Sequence, residues 1–181
     1  MNKNNLEIAG CLLEKYGYQK KVAGDNFNKA CEVVAKMAAL GRGVIVSGAC
    51  GVGKSCFCKA AAKTLGCQYF IDMKEPHAIG WFVDEDHTTQ LLDASVYLDD
   101  VGCERLINNY GDKFEMLGSF IERYHSRRIN KKDNHRLFIS TNLYGGDFTK
   151  RYTARVTDRL LEICIGWKME GKSKRKPIII K

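Results

Sequence analysis

The octapeptide Gly48-Ala49-Cys50-Gly51-Val52-Gly53-Lys54-Ser55 constrains this chain more than any other stretch. A short apolar run, Gly43–Ser47, precedes it, and a segment that reads as a helix follows, from Lys54 to about Leu65, closed by Gly66. That is the G-x-x-x-x-G-K-[ST] pattern in the strand–turn–helix setting it requires. Gly51 and Gly53 let the backbone turn so that successive N–H groups point at one set of oxygens. The N-terminus of the following helix adds its dipole. Lys54 supplies a charge for the β- and γ-phosphates, and Ser55 offers a hydroxyl to Mg²⁺. The expected ATP-binding residues are Gly48, Ala49, Cys50, Gly51, Val52, Gly53, Lys54, Ser55 and Cys56.

Around this loop, helical and strand patterns alternate. Leu6, Ala9, Leu12, Leu13 and Tyr16 fall at helical spacing, and residues 15–25 read as a connection. Ala30, Val33, Val34, Met37 and Leu40 form the stripe of a helix over 27–40, with Asp25 or Asn26 as cap and Gly41 as stop. Residues 68–73, 94–98 and 136–140 read as strands. Residues 74–93 are mixed, acidic and only partly helical. A long helix is expected over 105–129, where Leu106, Tyr110, Phe114, Leu117, Ile121 and Tyr124 step by three or four. Another helix covers 150–162, and a strand starts within 162–165. Alternation of this kind predicts an α/β layer fold on a mostly parallel sheet.

The strand at 94–98 runs into Asp99-Asp100. In a parallel sheet, ligands collect beyond the carboxyl ends of the strands. Asp99 is therefore expected to hold Mg²⁺, directly or through water. Asp100 would orient or deprotonate an attacking water.

Composition narrows the class. The chain has 181 residues with 45% apolar and 28% charged, enough for one ordinary globular domain. No apolar run approaches the ~20 residues of a membrane span. The polar start is unlike a secretion signal, so a cytoplasmic protein is expected. None of the eight cysteines forms a Cys-x-x-Cys pair, which argues against zinc and leaves free thiols packed in the interior. The net charge of +8 is one-sided. Residues 1–100 carry 11 Lys and Arg against 12 Asp and Glu, and residues 101–181 carry 18 against 9. A basic half points to a polyanionic partner.

Four blocks together resemble the AAA+ ATPases, and within them the DnaC-like helicase loaders and IstB-like transposition helpers. They are the phosphate loop; Tyr97-Leu98-Asp99-Asp100-Val101-Gly102, similar to that clade's Walker B; Phe120–Arg127 followed by Leu137–Leu143; and Arg155-Val156-Thr157-Asp158-Arg159-Leu160. The likeness spans residues 26–175. It implies a P-loop NTPase with an AAA+ core, a three-layer sandwich; as a departure from larger AAA+ proteins, no C-terminal lid domain is expected. The expected division is a short N-terminal helix and connection over 1–25 and the core with a basic tail over 26–181.

The resemblance puts Asn142 at the sensor 1 position, where a neutral amide can bind the γ-phosphate or the attacking water. It makes Arg159 the arginine that completes a neighbouring subunit's site, in a head-to-tail homo-oligomer formed with ATP. Arg155, four residues earlier, shares its helix face as a possible second trans arginine. Such a charge offsets what develops on the transferred phosphoryl group. The resemblance also implies single-stranded DNA binding. The cluster Arg123, Tyr124, Arg127, Arg128, Lys131 and Lys132 suits backbone contacts plus base stacking. The basic tail over 172–176 offers further contacts.

The function expected is an ATPase that helps load a replicative helicase or assists another replication or transposition step, with a helicase or transposase as partner. Two alternatives remain at this stage. One is a small phosphotransferase such as a nucleotide kinase. Its acceptor would meet Asp84, Glu85 and Asp86 in a segment without arginine. The other is an ATP-gated DNA-binding adaptor that does not hydrolyse.

Overall fold

A computed structural model describes residues 3–104, 107–109, 112–114, 116–131 and 134–174. The elements run α1 (Lys3–Lys15), α2 (Lys20–Ala23), α3 (Asn26–Leu40), β1 (Gly43–Ser47), α4 (Lys54–Thr64), β2 (Tyr69–Asp72), α5 (Gly80–Val83), α6 (Glu85–Leu92), β3 (Val96–Val101), β4 (Ile107–Asn109), β5 (Asp112–Phe114), α7 (Met116–Lys131), β6 (Leu137–Thr141), α8 (Gly145–Ile163) and β7 (Cys164–Lys168). The main sheet is ordered β2-β3-β6-β1-β7, and every pairing in it is parallel.

Strand alternation sorts side chains to two faces. Val44, Val46, Tyr97, Phe138 and Trp167 pack against α1, α3 and α4. Val96, Leu98, Leu137 and Ile139 pack against α5, α6, α7 and α8. The expected three layers are therefore present, with a core on each side of the sheet. Among the described residues no helix is long and apolar enough to cross a membrane.

Ala30, Val33, Val34 and Met37 of the α3 stripe are buried as expected, Leu40 is exposed, and Gly41 closes the helix at φ 64°. Asp25, however, is itself helical and makes no side-chain cap. The acidic stretch is more ordered than its composition suggests. Asp84 caps α6 by accepting from the backbone N–H of His87 at 2.8 Å, with Glu85 and Asp86 in the first turn beside the helix dipole.

The long helix expected from Arg105 begins instead at Met116. Before it, β4 and β5 form an antiparallel hairpin that pairs Ile107 with Phe114. Leu106 and Tyr110 lie outside the described residues. The helix expected over 150–162 starts earlier, at Gly145, and bends at Thr153, whose φ is 73°.

Candidate nucleotide site and arginine groove

β1 and β6 are neighbours, and β3 lies on the far side of β6, so the phosphate loop, Asp99-Asp100 and Asn142 all emerge at one sheet edge. Lys54 opens α4 and is only 5% exposed. Its Nζ donates to the carbonyls of Gly48 and Ala49, both at 2.9 Å, and to Asn142 Oδ1 at 2.8 Å. Burial pulls its pKa below the ordinary lysine value, partly offset by nearby groups that include Asp100 and Asp99. A buried ammonium held only by neutral oxygens is poised to exchange them for phosphate.

The ladder between β3 and β6 shifts register between Leu98 and Val101, so Asp99 and Asp100 occupy an irregularity at the strand end. Asp100 adopts φ 53°, rare for a residue with a side chain. The following strand fastens this kink. Ser140 Oγ donates to Asp99 Oδ1 and accepts from the Asp100 N–H at 3.0 Å. Thr141 Oγ1 donates to the Val101 carbonyl at 2.7 Å. Asn142 Nδ2 donates to Asp100 Oδ1 at 3.4 Å. Lys54, Asn142 and Asp100 thus form one chain of hydrogen bonds.

Ser55, at the head of α4, and Asp99 are both half-buried. Among the described residues no group of three His, Cys, Asp or Glu is arranged to hold a metal. A serine hydroxyl and a carboxylate at the same edge fit Mg²⁺, which retains waters and borrows phosphate oxygens.

Lys74, just after β2, pairs with Asp100 Oδ2 at 2.5 Å. The sequence reading missed it, together with Ser140 and Thr141. A lysine directly following a strand whose end lies on the same sheet edge was the available signal.

The segment after β7 was also unexpected. The Met169 N–H donates to the Ser47 carbonyl, and the Lys174 N–H donates to the Gly51 carbonyl. Lys174 Nζ reaches the Ala23 carbonyl at 2.9 Å, and Asn26 Nδ2 donates to the Glu170 carbonyl at 2.8 Å. The chain thus crosses beside the loop and ties it to the N-terminal connection. Gly51, at φ 82°, leaves room for this passage, since a Cβ there would sit 2.2 Å from Ser173 Oγ. Lys172 and Lys174 are described; Arg175 and Lys176 lie outside the described residues.

The cysteines are free, but not all lie in the interior. Cys31, Cys58 and Cys164 are buried, whereas Cys11, Cys50, Cys56 and Cys103 are exposed. Burial pushes the Cys164 thiol up to about 12 and that of Cys58 well above its usual value. Partial burial also raises Cys56, whose Sγ lies 3.6 Å from the Gly17 carbonyl.

The basic cluster of α7 is engaged within the fold. Arg123 forks onto Glu85, with Nη1 at 3.1 Å and Nη2 at 2.5 Å. Arg127 forks onto Asp93, its Nε at 2.6 Å. Arg128 donates to the carbonyls of Gly41, at 2.5 Å, and His135. Lys131 ends α7, and Lys132 lies outside the described residues.

Tyr124 departs from its expected role. It is 1% exposed, and its hydroxyl donates to the Ala94 carbonyl at 2.8 Å, so no base can stack on it. Tyr124→Phe should therefore lower stability by about 1 kcal/mol for the lost hydrogen bond, readable by chemical denaturation. Single-stranded DNA affinity should stay unchanged. A fall in DNA affinity without a stability change would restore the stacking role.

Arg155 Nε pairs with Glu122 Oε1 at 2.9 Å, and Arg159 Nη1 meets His125 Nδ1 at 3.2 Å. Arg123, Arg127, Arg155 and Arg159 line one open groove of about 520 Å³ between α7 and α8. Two of the residues expected to meet DNA, Arg123 and Arg127, therefore share one surface with the two expected to meet a neighbour's nucleotide.

No protein-family model matches the chain, and no curated protein matches it in sequence. Solved structures do. The DnaC helicase loader is 21% identical with a TM-score of 0.59, over 87% of this chain and 96% of that one. The replication initiator DnaA bound to AMPPCP and single-stranded DNA is 15% identical with a TM-score of 0.61, over 96% of this chain and 52% of that one. AMPPCP-bound DnaA from Aquifex aeolicus is 16% identical with a TM-score of 0.58, over 83% and 49%. This chain spans about half the length of the two initiator structures. At these identities the likeness is one of architecture, and the five-stranded parallel sheet with its phosphate loop after β1 is the P-loop AAA+ fold shared with DnaC and DnaA.

Proposed function

We propose that this chain binds and hydrolyses ATP with Mg²⁺, assembles head to tail through Arg159, and acts on single-stranded DNA in replication initiation. Its task there is to assist helicase loading or a related replication or transposition step. The observation that carries this reading is the hydrogen-bonded chain from Lys54 through Asn142 to Asp100, which links loop, sensor strand and acidic strand at one edge. A γ-phosphate arriving at Lys54 competes for the ammonium that holds the Asn142 amide oxygen, and the same amide donates to Asp100. Nucleotide state is thereby coupled to the water-positioning carboxylate. Asp99 and Ser55 would hold the metal, which supplies charge neutralisation at the phosphates. The architecture shared with a helicase loader, and with an initiator solved with single-stranded DNA, supports the replication role.

One observation favours a second reading. Asp100 is already paired with Lys74, and a carboxylate tied to an ammonium polarises water less well. A slow or silent ATPase that acts as an ATP-gated DNA adaptor follows from that pair. Steady-state hydrolysis with and without single-stranded DNA separates the two. A rate near zero in both conditions, alongside ATP-dependent DNA binding, gives the adaptor.

The DNA term has its own test. If Arg123 and Arg127 exchange their internal partners for phosphates and Lys131 and Lys132 add their own contacts, log affinity should fall with log salt at a slope of about −3, near −0.7 per contact. A flat salt dependence, or no binding at low salt, removes DNA from the proposal and leaves a nucleotide-dependent protein adaptor.

A further inference from the structure

α7 and α8 face each other through two rungs. Glu122 and His125 are one turn apart on α7, and they hold Arg155 and Arg159, one turn apart on α8. The rungs differ in kind. Arg155 is bound by a carboxylate, so it must break an ion pair before it can meet another anion. Arg159 is bound by an imidazole nitrogen.

The side chain of His125 is 11% exposed and has a partner on each ring nitrogen. Nδ1 faces the Arg159 guanidinium at 3.2 Å, and Nε2 faces Glu162 Oε2. Arginine has donors and no acceptor, so Nδ1 must offer a lone pair, and the ring proton sits on Nε2 and is donated to Glu162. His125 therefore links two α8 residues of opposite charge, Arg159 and Glu162, which lie three apart in sequence and would otherwise reach each other.

We propose that His125 is a positioning residue. Its Nε2–H tautomer, fixed by Glu162, holds Arg159 aimed into the groove with its positive charge uncancelled. The consequence is a division of labour that spacing alone cannot supply. Arg159 is the guanidinium available to a phosphoryl group of the neighbouring subunit, and Arg155 is braced by Glu122. This rests on the trans-arginine reading given above and specifies how that arginine is presented.

The test compares two substitutions that keep different halves of the imidazole. In His125→Asn the amide oxygen lies near the place of Nδ1 and can still accept from Arg159. In His125→Gln the amide reaches toward the place of Nε2 and Glu162. Steady-state ATP hydrolysis should fall about tenfold in the Gln variant, and the Asn variant should recover most of that loss. Affinity for a non-hydrolysable ATP analogue should be the same in both, so that kcat moves and KM does not.

Equal rates in the two variants would overturn the proposal. Arg159→Ala, run in parallel, separates the layers. If it loses hydrolysis while Asn and Gln are equal, only the role of His125 falls. If it hydrolyses like the parent, the trans arginine falls and His125 with it. Ring-nitrogen NMR shifts of the unmodified protein give a check that needs no variant: the Nε2–H tautomer is expected, and an Nδ1–H ring would refute the assignment.

Discussion

Lys54→Ala should abolish nucleotide binding and leave the nucleotide-free protein as stable as the parent. The two halves of this expectation have one cause. Lys54 is a buried cation whose partners are two carbonyls and an amide oxygen, none of them charged. Burial lowers its pKa from the ordinary 10.5. A lysine whose folded pKa is lowered costs the fold stability wherever it is charged in both states. That cost is present at neutral pH and fades only as pH rises through the folded value toward 10.5. Truncation removes it, and the lost hydrogen bonds offset the gain. ATP binding gives the opposite account, since phosphate is the anion this ammonium lacks. Parent protein at a hundredfold excess of ATP over Kd gains about 2.7 kcal/mol, which raises its melting temperature. The variant should show no rise at any ATP concentration tested. A normal ATP-dependent rise would mean that Lys54 does not meet the phosphates.

Local patterns made the phosphate loop and the acidic strand end legible. A glycine spacing with one lysine, and an apolar run ending in two carboxylates, each occupy a few consecutive residues. The parallel sheet then brings both to one edge. The stripe from Leu106 to Phe114 misled because apolar residues four apart are not peculiar to helices, and Ile107–Asn109 pairs with Asp112–Phe114 as strands instead. The better signal was Asn108-Asn109-Tyr110-Gly111-Asp112, which is rich in turn formers. The ion pairs of α7 were illegible for a different reason. Glu85 lies 38 residues from Arg123, and Asp93 lies 34 from Arg127. Such pairs exist only once α6 packs on α7. A run of arginines therefore read as a free basic face when each had a partner inside the fold. Tyr124 failed on the same ground: helical spacing gave its face correctly, and that face belongs to the core. The passage of residues 169–174 beside the phosphate loop could not be read either, because its bonds end on the backbone carbonyls of Gly51 and Ala23, which carry no residue signature.

Arg159→Ala should leave ATP affinity within about twofold of the parent while hydrolysis falls by about 10³. Its guanidinium sits in the groove between α7 and α8, and the phosphate loop stands at the carboxyl edge of the sheet, with Asn142, just after β6, rather than any α8 residue among the partners of Lys54. On the proposed head-to-tail assembly the arginine serving that loop comes from another copy, so the defect should be complementable. Lys54→Ala subunits keep Arg159 and lack a working loop; Arg159→Ala subunits keep the loop and lack the arginine. Neither alone should hydrolyse ATP. In an equal mixture that assembles head to tail, roughly a quarter of interfaces join an intact loop to an intact arginine, and activity should return in that proportion. A mixture no more active than its components, with assembly verified by light scattering, would mean that Arg159 does not act across an interface. Its place beside Arg123 and Arg127 would then make the groove a site for the polyanion that the one-sided charge implied, with DNA phosphate as the ligand.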